Sequence, residues 1–287
     1  MSTNTTDAPG LAQDYSLAAT LGAASPHAFR RSLAGLALGK SDAIHLLGDD
    51  EVRVFGAGLD FVRAWPVPPG AACLDVDAAD QVFVGFLGRV EAFDATGRRV
   101  VSFPAGDARS PAEVTSIKTY RDEVLVGDAA ARCIRRFDRS GRALGTVGDR
   151  DKTRGFMLPN RWLDFDVDAK GVIYATDTGR HRVASWALDG SPVATFGRFG
   201  YENPEDFVGC CNPVNLALAP NGTVVTAEKM IARVKVYSRD GRLLALIGPA
   251  NFDQSTTHLH LAVDSKGRIV VGDPVRRELK IFAPKAA

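Results

Sequence analysis

Short runs of alternating hydrophobic and polar residues recur along the whole chain. The clearest stretch, LDFDVDAKGVIYATDTGRHRVASWALDGSPVATFG, covers residues 163–197. It divides into four strand-length runs separated by turn-forming KG and DG pairs and one basic loop, a pattern that predicts four antiparallel strands. Related segments begin at residues 33, 73, 114, 214 and 259. The sequence therefore predicts six copies of one four-stranded unit.

Six such units must pack against one another, because a single four-stranded sheet cannot bury its own faces. The radial arrangement of these sheets is a β-propeller, whose strands we name a to d from the axis outward. The last unit ends after strand c at Phe282, whereas YSLAATLG at residues 15–22 has the pattern of a strand d. We expect an all-β, six-bladed propeller over residues 14–287, closed by this N-terminal strand, with residues 1–13 as a disordered tail.

The repeated unit resembles the NHL repeat in its order of proline, inner strand, KG or DG turn, IYATD, basic loop, RV and DG, most clearly at residues 159–191. The chain is similar in particular to bacterial NHL-repeat proteins that carry GCCNP and TAEK, here at 209–213 and 226–229. Relatives with known activities include peptidyl-amidoglycolate lyase and streptogramin lyase, and others are interaction platforms for protein or RNA. The resemblance thus implies a fold without deciding a function.

Composition and charge narrow the possible partners. The chain has 35 Lys and Arg against 34 Asp and Glu, without a long basic run, which argues against nucleic acid or an anionic membrane as a partner. Its apolar runs are far shorter than the roughly 18–20 residues of a membrane helix, and its polar start shows no secretory signal. With four cysteines, we expect a reduced cytoplasmic protein, a monomer or weak oligomer, that binds a small molecule or a protein.

The most unusual motif is EDFVGCCNPVN at residues 205–215, in which Cys210 and Cys211 are adjacent. Alignment of the units places the pair just before an inner strand, on the face that carries the d to a and b to c connections, here called the top face. The longest connections lie on the same face, and long loops on a rigid scaffold often carry function. We expect a pocket at the funnel mouth formed by Cys210, Cys211, Glu228, Lys229, Arg161, Trp162, Asn212, His181 and His258.

The chemistry predicted for this pocket depends on the state of the two thiols. They are candidate nucleophiles or ligands of a soft metal such as Cu or Zn, with Glu228 as acid or base, and Lys229 and Arg161 holding an anionic group. The other predicted ligand-binding residues are Trp162, Asn212, His181 and His258. Two further interpretations stay open: packed, unreactive thiols, or a strained vicinal disulfide. Adjacent Cα atoms are about 3.8 Å apart, whereas disulfides prefer about 4.4–6.8 Å.

A second candidate site lies deeper, on the inner strands that line the axis. Buried carboxylates there require partners, so they either bind backbone amides and water or hold a hard cation such as Ca. The residues concerned are Asp75, Asp164, Asp166, Asn215 and His260. The resemblance to the lyases implies a catalytic zinc held by histidines, for which this chain offers His181, His258 and His260 in no matching motif.

Two functions follow from these alternatives. The first is an enzyme or binding protein for a small ligand or metal, lyase-like or oxidoreductase-like, with its site at the cysteine pair. The second is a non-catalytic platform that grips another protein, in which the cysteines are structural. A bound metal or a deep, polar, closed funnel favours the first, whereas a funnel plugged by Trp162 with an exposed apolar patch around Phe199, Tyr201 and Phe207 favours the second.

Overall fold

The computed structural model describes residues 11–149 and 155–285. In these two ranges the chain forms six four-stranded sheets, one two-stranded ribbon and three short 3-10 turns, Lys40–Asp42, Thr178–Arg180 and Pro249–Asn251. The strands in chain order are β1 (Tyr15–Leu21), β2 (Gly35–Leu38), β3 (Ile44–Gly48), β4 (Glu51–Phe55), β5 (Phe61–Pro66), β6 (Ala71–Val76), β7 (Val82–Phe86), β8 (Arg89–Phe93), β9 (Arg99–Pro104), β10 (Gly106–Asp107), β11 (Ser110–Pro111), β12 (Val114–Tyr120), β13 (Glu123–Asp128), β14 (Cys133–Asp138), β15 (Ala143–Val147), β16 (Phe165–Val167), β17 (Ile173–Asp177), β18 (Arg182–Trp186), β19 (Pro192–Phe196), β20 (Asn215–Leu218), β21 (Val224–Glu228), β22 (Arg233–Tyr237), β23 (Leu243–Ile247), β24 (His260–Val263), β25 (Ile269–Asp273) and β26 (Glu278–Pro284).

The sheets form the blades of a six-bladed propeller, as predicted. Blades 1 to 5 contain β2–β5, β6–β9, β12–β15, β16–β19 and β20–β23, and blade 6 contains β24, β25, β26 and β1. The inner strands contact one another around a closed ring, from β2 through β6, β12, β16, β20 and β24 back to β2. Within the described ranges, no helix is long and apolar enough to cross a membrane.

The two ends of the chain meet in blade 6. Strand β1 pairs antiparallel with β26, with Tyr15 opposite Pro284 and Leu21 opposite Leu279. The predicted closure of the ring by the N-terminal strand is therefore confirmed. Of the predicted tail, residues 1–10 lie outside the described residues, and the Gln13 N–H donates to the Leu244 carbonyl of blade 5 at 2.9 Å.

Apolar side chains fill the spaces between the blades. Val234 and Val236 of β22, for example, share a buried cluster with Leu261 and Ile269 of blade 6. Full burial of one such side chain contributes about 2 kcal/mol. Strand β21, VVTAE, is buried along its whole length, so its last residue, Glu228, carries a carboxylate into the interior.

Carboxylates at the ends of the second strands tie the loops to the blades. The Asp177 carboxylate accepts the Met157 N–H at 2.8 Å, and Asp273 accepts the Asp253 N–H at 2.8 Å. Because an unpaired buried amide is costly, each such bond fixes the loop that leads into the inner strand of the same blade. Glu228 makes the equivalent contact in blade 5, accepting the Val208 N–H at 2.9 Å.

Candidate functional site

Cys210 and Cys211 lie in the loop between β19 and β20. Cys210 is exposed and Cys211 is buried, both thiols are free, and their Sγ atoms are 2.9 Å apart. Cys211 and the preceding Gly209 have left-handed backbones, with φ of 63° and 74°. Glycine adopts this conformation readily and cysteine rarely does, so surrounding contacts must hold Cys211 in place.

Asn212 supplies those contacts. Its side chain is fully buried, its Nδ2 donates to the carbonyls of Val208 at 2.5 Å and Lys229 at 3.0 Å, and its Oδ1 accepts the Lys229 N–H at 2.9 Å. The amide predicted to bind a ligand is thus engaged by the backbone of its own blade. It positions the neighbouring thiols.

The environment of the pair favours a protonated Cys211. Burial raises the pKa of the Cys211 thiol to about 11, and the adjacent Cys210 adds to the increase, whereas the Lys229 charge and the Asn160 amide oppose it. Near Cys210, the sulfur of Met230 accepts the Cys210 N–H at 3.4 Å. Met230 was not predicted as a site residue, although it follows Lys229 in the same loop.

Glu228, the predicted acid or base, is buried in an ion-pair network and only 1% exposed. Its Oε1 lies 2.9 Å from Arg233 Nε and 2.8 Å from Lys235 Nζ. The buried Lys235 also donates to the Asp206 carbonyl at 2.6 Å, so the cluster fixes the 198–208 loop to blade 5. Sequence reasoning missed both cationic partners; the signal was the alternation of charge in RVKVY, which puts Arg233 and Lys235 on one face of β22.

Two other residues predicted at the funnel mouth, Arg161 and His181, have separate surroundings. Arg161 is exposed and forms an ion pair with Glu113, with Nη2 2.7 Å from Oε2. The His181 ring lies 4.9 Å from the Phe199 ring, and burial lowers the pKa of His181. Lys229 is bound through its backbone to Asn212, which follows Cys211, whereas Arg161 and His181 have partners of their own.

Trp162 and His258 meet at the mouth of the axis. Their rings are stacked with centroids 4.5 Å apart, and His260 approaches His258 edge-on at 5.0 Å. Trp162 precedes an inner strand of blade 4 and His258 one of blade 6, so the stack spans the opening. Burial lowers the pKa of His258 to about 4 and, with the neighbouring His258, that of His260 to about 3. Both rings are neutral at pH 7.

Beneath this stack lies a polar cavity of about 40 Å³. Three buried polar atoms of its lining have no hydrogen-bond partner within the described residues: Trp162 Nε1, Asn215 Oδ1 and His260 Nε2. A single water needs roughly 10–15 Å³ of such space, so the cavity has room for a few waters and is too small for a metabolite.

Lys118 occupies the lower axis among the predicted carboxylates. Its Nζ lies 3.9 Å from Asp75 Oδ1 and 3.7 Å from Asp166 Oδ1. Asp164 accepts the Asn215 side chain at 2.9 Å and the Leu216 N–H at 3.0 Å. The carboxylates for which a cation was predicted therefore have partners within the chain. The Lys118 ammonium lies near Asp75 and Asp166, and amide groups donate to Asp164.

The titration of the axial groups follows from burial and from Lys118. Burial raises the pKa of Asp75 and raises that of Asp164 to about 6, while Lys118 opposes both increases. Burial lowers the pKa of Lys118, but the charges of Asp166, Asp75 and Asp164 outweigh this and raise it overall. Among the described residues, no group of three or more His, Cys, Asp or Glu side chains is arranged to hold a metal. The hard cation expected among the axial carboxylates stays a prediction.

The comparisons with known proteins identify the fold class. No protein-family model matches the chain. Solved structures similar to it include a streptogramin B lyase (TM-score 0.64, 8% identity, covering 94% of this chain and 98% of that chain). A gluconolactonase from Xanthomonas campestris matches with a TM-score of 0.65 and 15% identity over 90% and 87%, and the WD40 β-propeller domain of Doa1 with 0.59 and 18% over 88% and 78%.

At these identities the similarity shows the fold alone. The chain is a six-bladed β-propeller whose structural neighbours include a lyase, a lactonase and a WD40 domain. Both predicted functions are compatible with such neighbours. The NHL assignment and the role of GCCNP stay predictions.

Proposed function

We propose that the protein binds a soft metal ion through Cys210 and Cys211 on its top face. The observation that carries this proposal is the pair of free thiols with Sγ atoms 2.9 Å apart, one of them exposed. Thiolates are the preferred ligands of Cu(I) and are also ligands of Zn. Because Cys210 is exposed, an ion from solvent has access to the pair.

The surroundings of the pair support binding more than acid-base catalysis. Both oxygens of Glu228 have partners: Arg233 and Lys235 form ion pairs with the carboxylate, and the Val208 N–H donates to it. These contacts hold the loop in place. Asn212 fixes the backbone on which the thiols are mounted. A rigid, preformed pair loses little freedom when it binds an ion.

Metal loading of untagged, anaerobically purified protein tests this proposal. Wild type, Cys210→Ser/Cys211→Ser and the control Cys133→Ala, which removes a buried thiol outside the pair, are each exposed to Cu(I) or Zn(II). We expect one ion per chain in the wild type and the control, and none in the double variant. Equal loading of all three proteins, or loading of none, contradicts the proposal; a mass lower by two hydrogens would indicate a vicinal disulfide instead.

One observation favours the interaction platform as a second candidate. Phe199 and Tyr201 are 51% and 68% exposed and contact each other edge-on at 5.2 Å, in a loop closed by the Arg198–Asp206 ion pair. Exposed aromatic pairs are typical of protein-binding surfaces. Affinity capture with wild type and Phe199→Ser/Tyr201→Ser tests this: a partner retained by the wild type alone supports it, and identical retention opposes it.

A further inference from the structure

The loop of blade 5 that carries Met230 departs from the corresponding loops of other blades. In blades 3, 4 and 6 the left-handed residue is the fourth after the strand-end aspartate: Arg132, His181 and Arg277, with φ of 57°, 53° and 53°. In blade 5 it is the second residue after Glu228, Met230, with φ of 70°. A methionine rarely adopts this conformation, and such strain is found at functional sites.

This departure brings a third sulfur to the cysteine pair. The Met230 side chain is 61% exposed, yet its Sδ lies 3.4 Å from the backbone nitrogen of Cys210. A Cβ atom at Gly209 would come within 2.8 Å of the same sulfur, so the glycine leaves the space that Met230 uses. The side chain has several rotatable bonds, so its sulfur can turn from the amide towards an ion on the thiols.

We infer that Met230 Sδ is the third donor of the metal site formed by Cys210 and Cys211, and that the ion is Cu(I). This inference rests on the proposed function. Thioether and thiolate sulfurs together select Cu(I), whereas Zn(II) takes four donors from Cys, His and carboxylates. In the described part of the chain, the pair does not belong to any group of three or more such residues suited to a metal.

The charge at the site is compatible with a monovalent soft ion. Each thiol releases its proton when it binds, and no electron is transferred. Two thiolates and one Cu(I) carry a net charge of minus one, which the nearby Lys229 ammonium offsets. The side chain of Asn212, which follows Cys211 in the chain, binds both backbone groups of Lys229 and so keeps this residue beside the pair.

Competition for Cu(I) against a chromogenic chelator, under anaerobic conditions, tests the inference on the full chain. The variants are Met230→Leu, which keeps the size of the side chain but removes the sulfur, and Met157→Leu, a control at another partly exposed methionine of the loops. Mutation of a group that only supports a metal ligand weakens metal binding about tenfold or more. Loss of the Met230 sulfur, itself a ligand, should therefore weaken Cu(I) binding by at least about tenfold. Met157→Leu should bind as the wild type does.

X-ray absorption of the Cu(I)-loaded proteins gives an independent count of sulfur donors. We expect three in the wild type and two in Met230→Leu, with unchanged melting temperatures of the metal-free proteins. The role of Met230 is overturned if Met230→Leu binds Cu(I) with the affinity and the sulfur count of the wild type. If Cys210→Ser/Cys211→Ser loses binding in the same experiment, the proposed function stays intact. Absence of Cu(I) binding to the wild type overturns both.

Discussion

The side-chain amide of Asn212 is hydrogen-bonded to both backbone groups of Lys229, donating to its carbonyl at 3.0 Å and accepting its N–H at 2.9 Å. One buried side chain thereby joins the loop that carries the two cysteines to the loop that carries Met230. The relative placement of all three sulfur atoms depends on this contact. A polar side chain bonded to backbone groups of two loops is thus central to the candidate site.

Asn212→Ala should destabilise the protein by about 2–3 kcal/mol, because the Lys229 N–H and two carbonyls lose their buried partner. Urea denaturation measures the change. The control is Asn221→Ala, an exposed turn residue that accepts the Thr223 N–H at 3.0 Å and whose loss should cost about 0.5 kcal/mol. Equal decreases in the free energy of unfolding of the two variants would show that the Asn212 hydrogen bonds do not stabilise the loop more than an exposed turn contact does.

The repeat pattern predicted the fold because each strand and turn is encoded locally. The KG and DG turns and the two-residue alternation specify one blade, and exposed sheet faces then require stacking. The match of YSLAATLG to other outer strands sufficed to place β1 beside β26. Ring closure needed no long-range information beyond that similarity.

The partners of the site residues were not predictable in the same way, because they come from other strands and blades. Lys118 of blade 3 lies between Asp75 of blade 2 and Asp166 of blade 4, a contact that no local pattern encodes. Its position on β12, an inner strand like those that carry Asp75 and Asp166, was the available signal. Phe207 was grouped with the exposed Phe199 and Tyr201, but it is fully buried and packs with Tyr237.

The Glu228–Lys235 ion pair should be strongly coupled. Removing one partner of a buried pair leaves an uncompensated charge, so Glu228→Gln should cost about 3–5 kcal/mol. The double variant Glu228→Gln/Lys235→Met should be more stable than the sum of the single changes by at least about 1 kcal/mol. A double-mutant cycle in chemical denaturation measures this coupling; strictly additive losses would show that the 2.8 Å contact contributes nothing.

The axial carboxylates predict a pH dependence that Lys118 moderates. A carboxyl whose pKa is raised on folding holds its proton more tightly in the folded state, so its stabilising contribution is lost as the pH rises. For Asp164 the loss extends from the ordinary value of 3.8 through about 6. Lys118→Met should raise the pKa of Asp75 and Asp164 further. The variant should therefore fall further below the wild type at pH 7 than at pH 4.

Denaturation of both proteins at several pH values between 4 and 7 tests this, since groups common to both cancel in the difference. Lys170→Met, at an exposed lysine, serves as the control and should show a difference that does not vary with pH. A constant difference for Lys118→Met as well would mean that Lys118 does not act on the carboxylates.

The stack of Trp162 on His258 predicts the behaviour of the buried histidines. Trp162→Ala should open the axis to bulk solvent and raise the pKa of His258 from about 4, and that of His260 from about 3, towards 6.5. NMR titration of the histidine signals measures both values, with Trp162→Phe as the variant that keeps an aromatic ring on His258. A histidine whose pKa is lowered on folding costs stability as the pH falls below 6.5, so the Ala variant should lose less stability than the wild type between pH 6.5 and 4. If His260 titrates as before, a barrier other than this stack separates it from bulk solvent.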